Sequence, residues 1–180
     1  MPPSPRPAGG QQGIEELLKP LAAWFKEHPS GHPDALNFVF DLPTDGGGAL
    51  ITSWAGKAGL EKYLVPFGST RNGSLYAFWF VEEVRVERVP IVLLDSEGAD
   101  YSFVAAKSYP EFLALLAAGL EDFDDPESAL PNSPELFAFR EWVLTQGIAK
   151  IPDFAEVTTI TNEAFEETPD LLEWLEEKLA

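Results

Sequence analysis

Residues 65–81, VPFGSTRNGSLYAFWFV, run a glycine-bearing polar loop straight into a solid apolar block, and two readings compete for it. Gly68 and Gly73 are spaced much like the glycines of a phosphate-binding loop. Ser74 and Leu75, however, stand where that loop carries Lys and Ser/Thr, and a strand pattern follows instead of a helix. A phosphate cradle needs a helix N-terminus whose free N–H groups point at the anion. The stretch therefore predicts a turn opening a strand. YAFWFV is apolar on both faces, so that strand is expected to be central and buried.

Working outward, LNFVFDL places Leu36, Phe38, Phe40 and Leu42 on one side of an alternating strand. ALITSW (49–54), VRVERV (84–89), PIVLLD (90–95) and YSFVAA (101–106) read as further strands. Few residues separate them, which favours antiparallel pairing because a parallel crossover needs a dozen residues or more. Before the strands, Ile14, Leu17, Leu18, Leu21, Trp24 and Phe25 follow helical spacing, with a kink or restart expected at Pro20. After them, Ser108 and Glu111 form a capping-box pattern ahead of an apolar face that closes at Gly119. Ser133-Pro134 and Thr168-Pro169 are expected to open two more helices, and IPDFAEVTTIT (151–161) to add an edge strand. The order predicts an α+β fold: a largely antiparallel sheet of about five to six strands, flanked by an N-terminal helix and several C-terminal helices. Residues 1–13 read as a flexible tail and 14–180 as a single domain.

The 180 residues are 45% hydrophobic and 12% aromatic, which suits a folded globular chain. With no cysteine, disulfides and thiolate chemistry are excluded. The N-terminal MPPSPRPAGGQQG has no apolar core for a signal peptide, so a soluble, cytoplasmic protein is expected. The formal charge of −18 is uneven: residues 121–180 hold 16 acidic side chains against Arg140, Lys150 and Lys178. Such a field repels nucleic acid and anionic membrane and attracts basic surfaces; its bland counterpart is a solvated face that keeps the protein soluble.

Residues of the types that carry chemistry mostly have simpler readings. Pro29, Gly31 and Pro33 deny His28 and His32 the regular helix that would aim both rings at one zinc ion. The run Glu121-Asp122-Phe123-Asp124-Asp125-Pro126-Glu127 lacks the turn glycine and ligand spacing of a calcium loop. Asp95 and Glu97, at a strand end, are candidates for acid–base work, although carboxylates there commonly organise turns. There is no Gly-x-Ser-x-Gly elbow. Trp24, Trp79, Trp142 and Trp174 sit at apolar positions, whereas Trp54, read as a strand end, is the tryptophan expected to be exposed.

The order VPFGSTRNGSLYAFWF, then VPIVLLDSEGADYSFVAAKSYPEFLALLAAG, resembles the SUKH superfamily, which includes many bacterial toxin-immunity proteins and a fungal cell-wall regulator. The resemblance is carried by Pro66-Phe67-Gly68, the turn at Gly73, the aromatic strand Tyr76–Phe80, the strand from Pro90, the Ser96-Glu97-Gly98 turn and the Phe112-Leu113 helix. It covers about 65–120 and leaves the acidic final third outside it. It implies a mixed or antiparallel sheet flanked by helices, no enzyme activity, and neutralisation of a cognate toxin, frequently a nuclease.

Together these readings predict a non-enzymatic protein that binds a basic partner without cofactor or metal, with Trp54, Glu121, Asp122, Asp124, Asp125 and Glu127 as contact residues. An intracellular scaffold or regulatory module is the alternative, and a metal-dependent or acid–base enzyme using Asp95, Glu97 or the 121–127 cluster is a third. The partner's identity and the oligomeric state are left open.

Overall fold

The computed structural model describes residues 10–28, 36–81, 84–129 and 134–180. Five strands, β1 (Val39–Phe40), β2 (Leu64–Ser69), β3 (Leu75–Trp79), β4 (Ile91–Leu94) and β5 (Phe103–Ala106), form one sheet in chain order. Every neighbouring pair is antiparallel. The short links dictate this meander, and they place the YAFWFV strand third of five, at the centre.

Both faces of β3 are buried, as its unbroken apolar run requires. Tyr76 and Phe78 enter a first core with α1 (Gly10–Glu27), α3 (Tyr109–Ala117) and α4 (Phe137–Thr145). Ala77 and Trp79 enter a second core with α2 (Gly48–Ala55) and α6 (Leu171–Leu179). The first core centres on Phe112, whose ring lies within 5.6 Å of those of Phe38, Phe67, Tyr76 and Phe123. α5 (Phe154–Glu166) contributes Val157 to the first core and Ala164 to the second while running along β5, the last strand of the sheet.

The α+β architecture matches the sequence reading; several elements do not. ALITSW is helix, not strand. Ile51 and Trp54 turn toward the second core, and the Asp45 carboxylate accepts the N–H groups of Gly47 at 2.9 Å and Ala49 at 3.4 Å at the helix start. VRVERV holds a single 3-10 turn, Val86–Arg88. Its chain neighbours offer it no free edge, because β2 and β4 flank β3, and β3 and β5 flank β4; Val86 packs on the first core instead. IPDFAEVTTIT contains most of α5. Its true signal is a capping box: Glu156 N–H donates to Asp153 Oδ1 at 2.9 Å, and Asp153 N–H to Glu156 Oε2 at 2.9 Å. The threonines fit the helix by donating their hydroxyls to carbonyls one turn back, as Thr158 does to Phe154 at 3.1 Å.

α1 starts at Gly10, inside the segment read as a flexible tail, and continues through Pro20 without restarting. Residues 1–9, His32 and the Ser133 cap lie outside the described residues. The last helix is capped by Asp170, whose carboxylate accepts Glu173 N–H at 3.0 Å, and begins later than Thr168-Pro169 suggests. Among the described residues, no helix is long and apolar enough to cross a membrane.

Lys107 ties α5 to the sheet. Its ammonium donates to Glu163 Oε2 at 3.0 Å and Glu167 Oε2 at 2.9 Å, with Glu111 Oε1 at 3.9 Å. The hydrogen bonds to Glu167 and Glu163 raise its pKa. The stability it contributes is therefore complete below the ordinary lysine pKa and lost only as pH rises through the folded value. Lys107→Met would leave three carboxylates facing one another, at an expected cost of about 1–2 kcal/mol at pH 7. That loss should shrink at acidic pH as Glu111, whose pKa burial raises, takes up a proton. Thermal denaturation at both pH values checks this; equal losses would show that the lysine stem matters and its charge does not.

Candidate functional site: a carboxylate groove

The opening stretch forms the β2–β3 hairpin. Thr70 N–H donates to Ser74 O at 2.8 Å, Gly73 N–H to Thr70 O at 3.1 Å, and the Thr70 and Asn72 side chains bond each other. Gly73, at φ 92°, supplies the left-handed corner. No helix follows, so the loop offers no phosphate cradle. It forms instead one wall of a broad depression.

The second wall is the turn after β4. Asp95 N–H donates to Ser102 Oγ at 2.9 Å, its Oδ1 accepts Glu97 N–H at 2.8 Å, and its carbonyl accepts Trp54 Nε1–H at 2.7 Å. Ser96 N–H reaches across to Ser74 Oγ at 3.0 Å, locking this turn to the hairpin. The third wall is the segment after α3. There Ser128 Oγ both accepts from Asp122 N–H at 3.0 Å and donates to Asp122 O at 3.1 Å, while Asn37 Nδ2 donates to Glu121 O at 3.2 Å. The α5–α6 junction closes the fourth side.

The walls enclose a groove of about 1080 Å³ lined by Thr70, Asn72, Ser74 and Tyr76 with eight carboxylates: Asp95, Glu97, Asp100, Glu121, Asp122, Asp124, Glu166 and Asp170. Among the described residues no lysine or arginine lines it. Apolar side chains stand exposed around it: Phe165 at 75%, Tyr101 at 62% and Leu172 at 40%. The crowding has an electrostatic signature. The pKa of Asp122 is raised, by burial first and then by Asp124, Glu121 and Asp125. The carboxylates are nevertheless dispersed: among the described residues no three His, Asp or Glu side chains converge as a metal ion requires.

Of the contact residues expected from sequence, Glu121, Asp122 and Asp124 line the groove. Asp125 and Glu127 are not among the lining residues; the Asp125 carboxylate accepts Glu127 N–H at 3.1 Å and caps the 3-10 turn Pro126–Ser128. Trp54 does not end a strand and is not fully exposed: it lies half-buried on α2 against the second core and holds Asp95 from behind. Asp95 and Glu97 belong to the groove, with Asp95 organising its own turn. His28 stacks on Trp24 with ring centroids 4.2 Å apart, and its Nδ1 lies 2.7 Å from Trp24 O. The sequence reading missed Asp100, Tyr101, Phe165, Glu166 and Asp170. Their signal was weak, since each is an ordinary polar or apolar residue near a helix or turn boundary. No family model matches the chain, and no curated protein or solved structure matches it either.

Proposed function

We propose that this chain is a non-enzymatic binding protein, an immunity protein of the SUKH kind, which neutralises a basic toxin domain of the nuclease class by covering its surface. The observation that carries this reading is a groove with eight carboxylates, no lining lysine or arginine among the described residues, and exposed aromatic side chains beside it. A nuclease must present cations to its substrate's phosphates, and a face of spaced carboxylates occupies the same cations. The net charge of −18 speeds encounter. Phe165 and Tyr101 supply the apolar contact that slows dissociation.

The test mixes the protein with a nuclease toxin encoded by the adjacent reading frame. Expected are a stable complex at low salt, loss of nuclease activity, and an affinity that falls about tenfold or more as salt rises from 50 to 500 mM. Full nuclease activity in the presence of excess protein would reject the reading. The alternative, a scaffold or regulatory module, draws on a second exposed apolar pair, Phe137 at 63% and Leu144 at 44% on α4. It predicts a partner without toxin activity whose binding is lost in Phe137→Ser and Leu144→Ser but kept when the groove is altered.

A further inference from the structure

Among the described residues, the buried side-chain atoms without a hydrogen-bond partner are the indole Nε1–H groups of Trp79 and Trp174. They meet at one interface. Trp79, fully buried, enters the second core from β3, and Trp174, 8% exposed, enters it from α6. Their ring centroids lie 5.4 Å apart in an edge-on arrangement, and Trp174 packs in the same manner on Tyr63 at 5.5 Å. An indole edge on a ring face gives at most a weak N–H···π contact. A buried N–H without an acceptor forfeits the bond that water would supply. Each of these donors lowers the equilibrium constant for docking α6 on the sheet by about fivefold or more. The first core carries no such atom among the described residues.

Otherwise α6 is held by the apolar side chains Leu171, Leu175 and Leu179, with two light ties at its far end. Lys57 Nζ donates to Ala180 O at 3.1 Å, and the Lys178 ammonium stands 5.6 Å from the centre of the Tyr63 ring. Its neighbour α5 is fixed more firmly, by the hydrogen bonds of Lys107 to Glu163 and Glu167. Residues 167–170 join the fixed helix to the lightly held one. The first turn of α6 also builds the groove, since Asp170, Leu171 and Leu172 line it. Undocking would widen the groove and bare Trp79, whereas a ligand touching this turn would favour the docked form.

We infer that α6 is a hinged wall of the groove: it leaves the second core, pivoting at residues 167–170, far more often than the sheet opens, and a cationic partner in the groove holds it in place. The coupling to a partner rests on the reading of the groove as the surface that meets a basic protein; the hinge does not. By linkage, whatever favours the docked helix also tightens the partner's binding.

Hydrogen exchange of the full chain, followed by NMR at low salt with hexalysine amide as the probe, tests both parts. In the free protein the backbone N–H of Leu175 and the indole N–H groups of Trp79 and Trp174 are expected to exchange through one opening. Corrected for intrinsic rates, that exchange should be about 100-fold or more faster than at the backbone N–H of Trp79, which donates to Pro90 O at 2.9 Å. Comparing the two N–H groups of Trp79 separates undocking from loss of the sheet, and Leu175, in the middle of α6, separates it from fraying. Val143→Ala, on α4 in the first core, should speed exchange at the Trp79 backbone about fivefold or more and leave its indole rate unchanged, because α4 stays packed when α6 alone opens. Saturating hexalysine amide should slow exchange in α6 about fivefold or more. Equal protection of the two N–H groups of Trp79 in wild type would overturn the hinge, and that measurement decides even if Val143→Ala folds poorly. Bound peptide that leaves the α6 rates unchanged would overturn the coupling. If fluorescence anisotropy shows that the peptide does not bind, the groove reading falls together with the coupling, and the rates in the free protein still decide the hinge.

Discussion

Gly68→Ala is expected to destabilise the protein by about 2–3 kcal/mol. The reason is space, since the backbone there needs no left-handed conformation. A Cβ at this position would lie 2.3 Å from Phe38 Cε2, 2.5 Å from its Cζ and 3.0 Å from Val39 O. Phe38 is fully buried and hemmed in by Phe25, Phe67, Tyr76 and Phe112, so it cannot swing aside without disturbing the aromatic core. Backbone retreat is also blocked, because Gly68 pairs with Phe40 on one side and Tyr76 on the other, next to the irregularity between Pro66 and Gly68. Gly73→Ala makes the control. Its added Cβ meets nothing within 4 Å but must take φ 92°, a conformational cost of about 1 kcal/mol. Urea denaturation of the two variants separates the mechanisms; a loss at Gly68 no larger than at Gly73 would mean that the core yields easily.

That comparison also shows what sequence could and could not reveal. The polar loop before YAFWFV was legible as a turn, and Gly73 fills that role, but nothing in the string distinguishes it from Gly68, whose missing side chain admits Phe38, the residue just before β1 and some thirty positions earlier. The sheet was legible because apolar blocks bounded by turn formers and joined by short links have few alternatives. α2 and α5 were not, because Ile51 and Thr52, and the run from Val157 to Thr161, carry β-favouring side chains. Only cap and packing signals, such as Asp153 with Glu156, argue for helix. The groove was half legible. Charge counting drew attention to Glu121, Asp122 and Asp124, yet Asp95, Glu97 and Asp100 come from the less acidic part of the chain and reach the groove through the turn after β4. Tyr76 was hidden by its pattern, since an aromatic residue in a central strand reads as core whether or not it also borders a groove.

The double variant Asp122→Asn/Asp124→Asn is expected to bind a basic partner about 10- to 100-fold more weakly while being slightly more stable than the wild type. The sign of the stability effect follows from Asp122. Its pKa is raised in the folded protein, by burial and by neighbouring carboxylates, so folding favours its protonated form. The stability this group contributes is complete below the unfolded carboxyl pKa and is lost as pH rises through the folded one. At pH 7 the ionised group therefore opposes folding, and an amide removes the opposition. Solvent screening limits the gain to a few tenths of a kcal/mol. A bound cation reverses the balance by favouring the carboxylate. Binding should accordingly release protons at mildly acidic pH, and wild-type affinity should weaken as pH falls into the raised titration range of Asp122, with a flatter profile in the double variant. Calorimetry in two buffers of different ionisation enthalpy measures the proton release, and urea denaturation at pH 7 measures the stability. A double variant that lost stability yet bound the partner normally would identify these carboxylates as structural supports, and the basic partner would have to be met elsewhere on the surface.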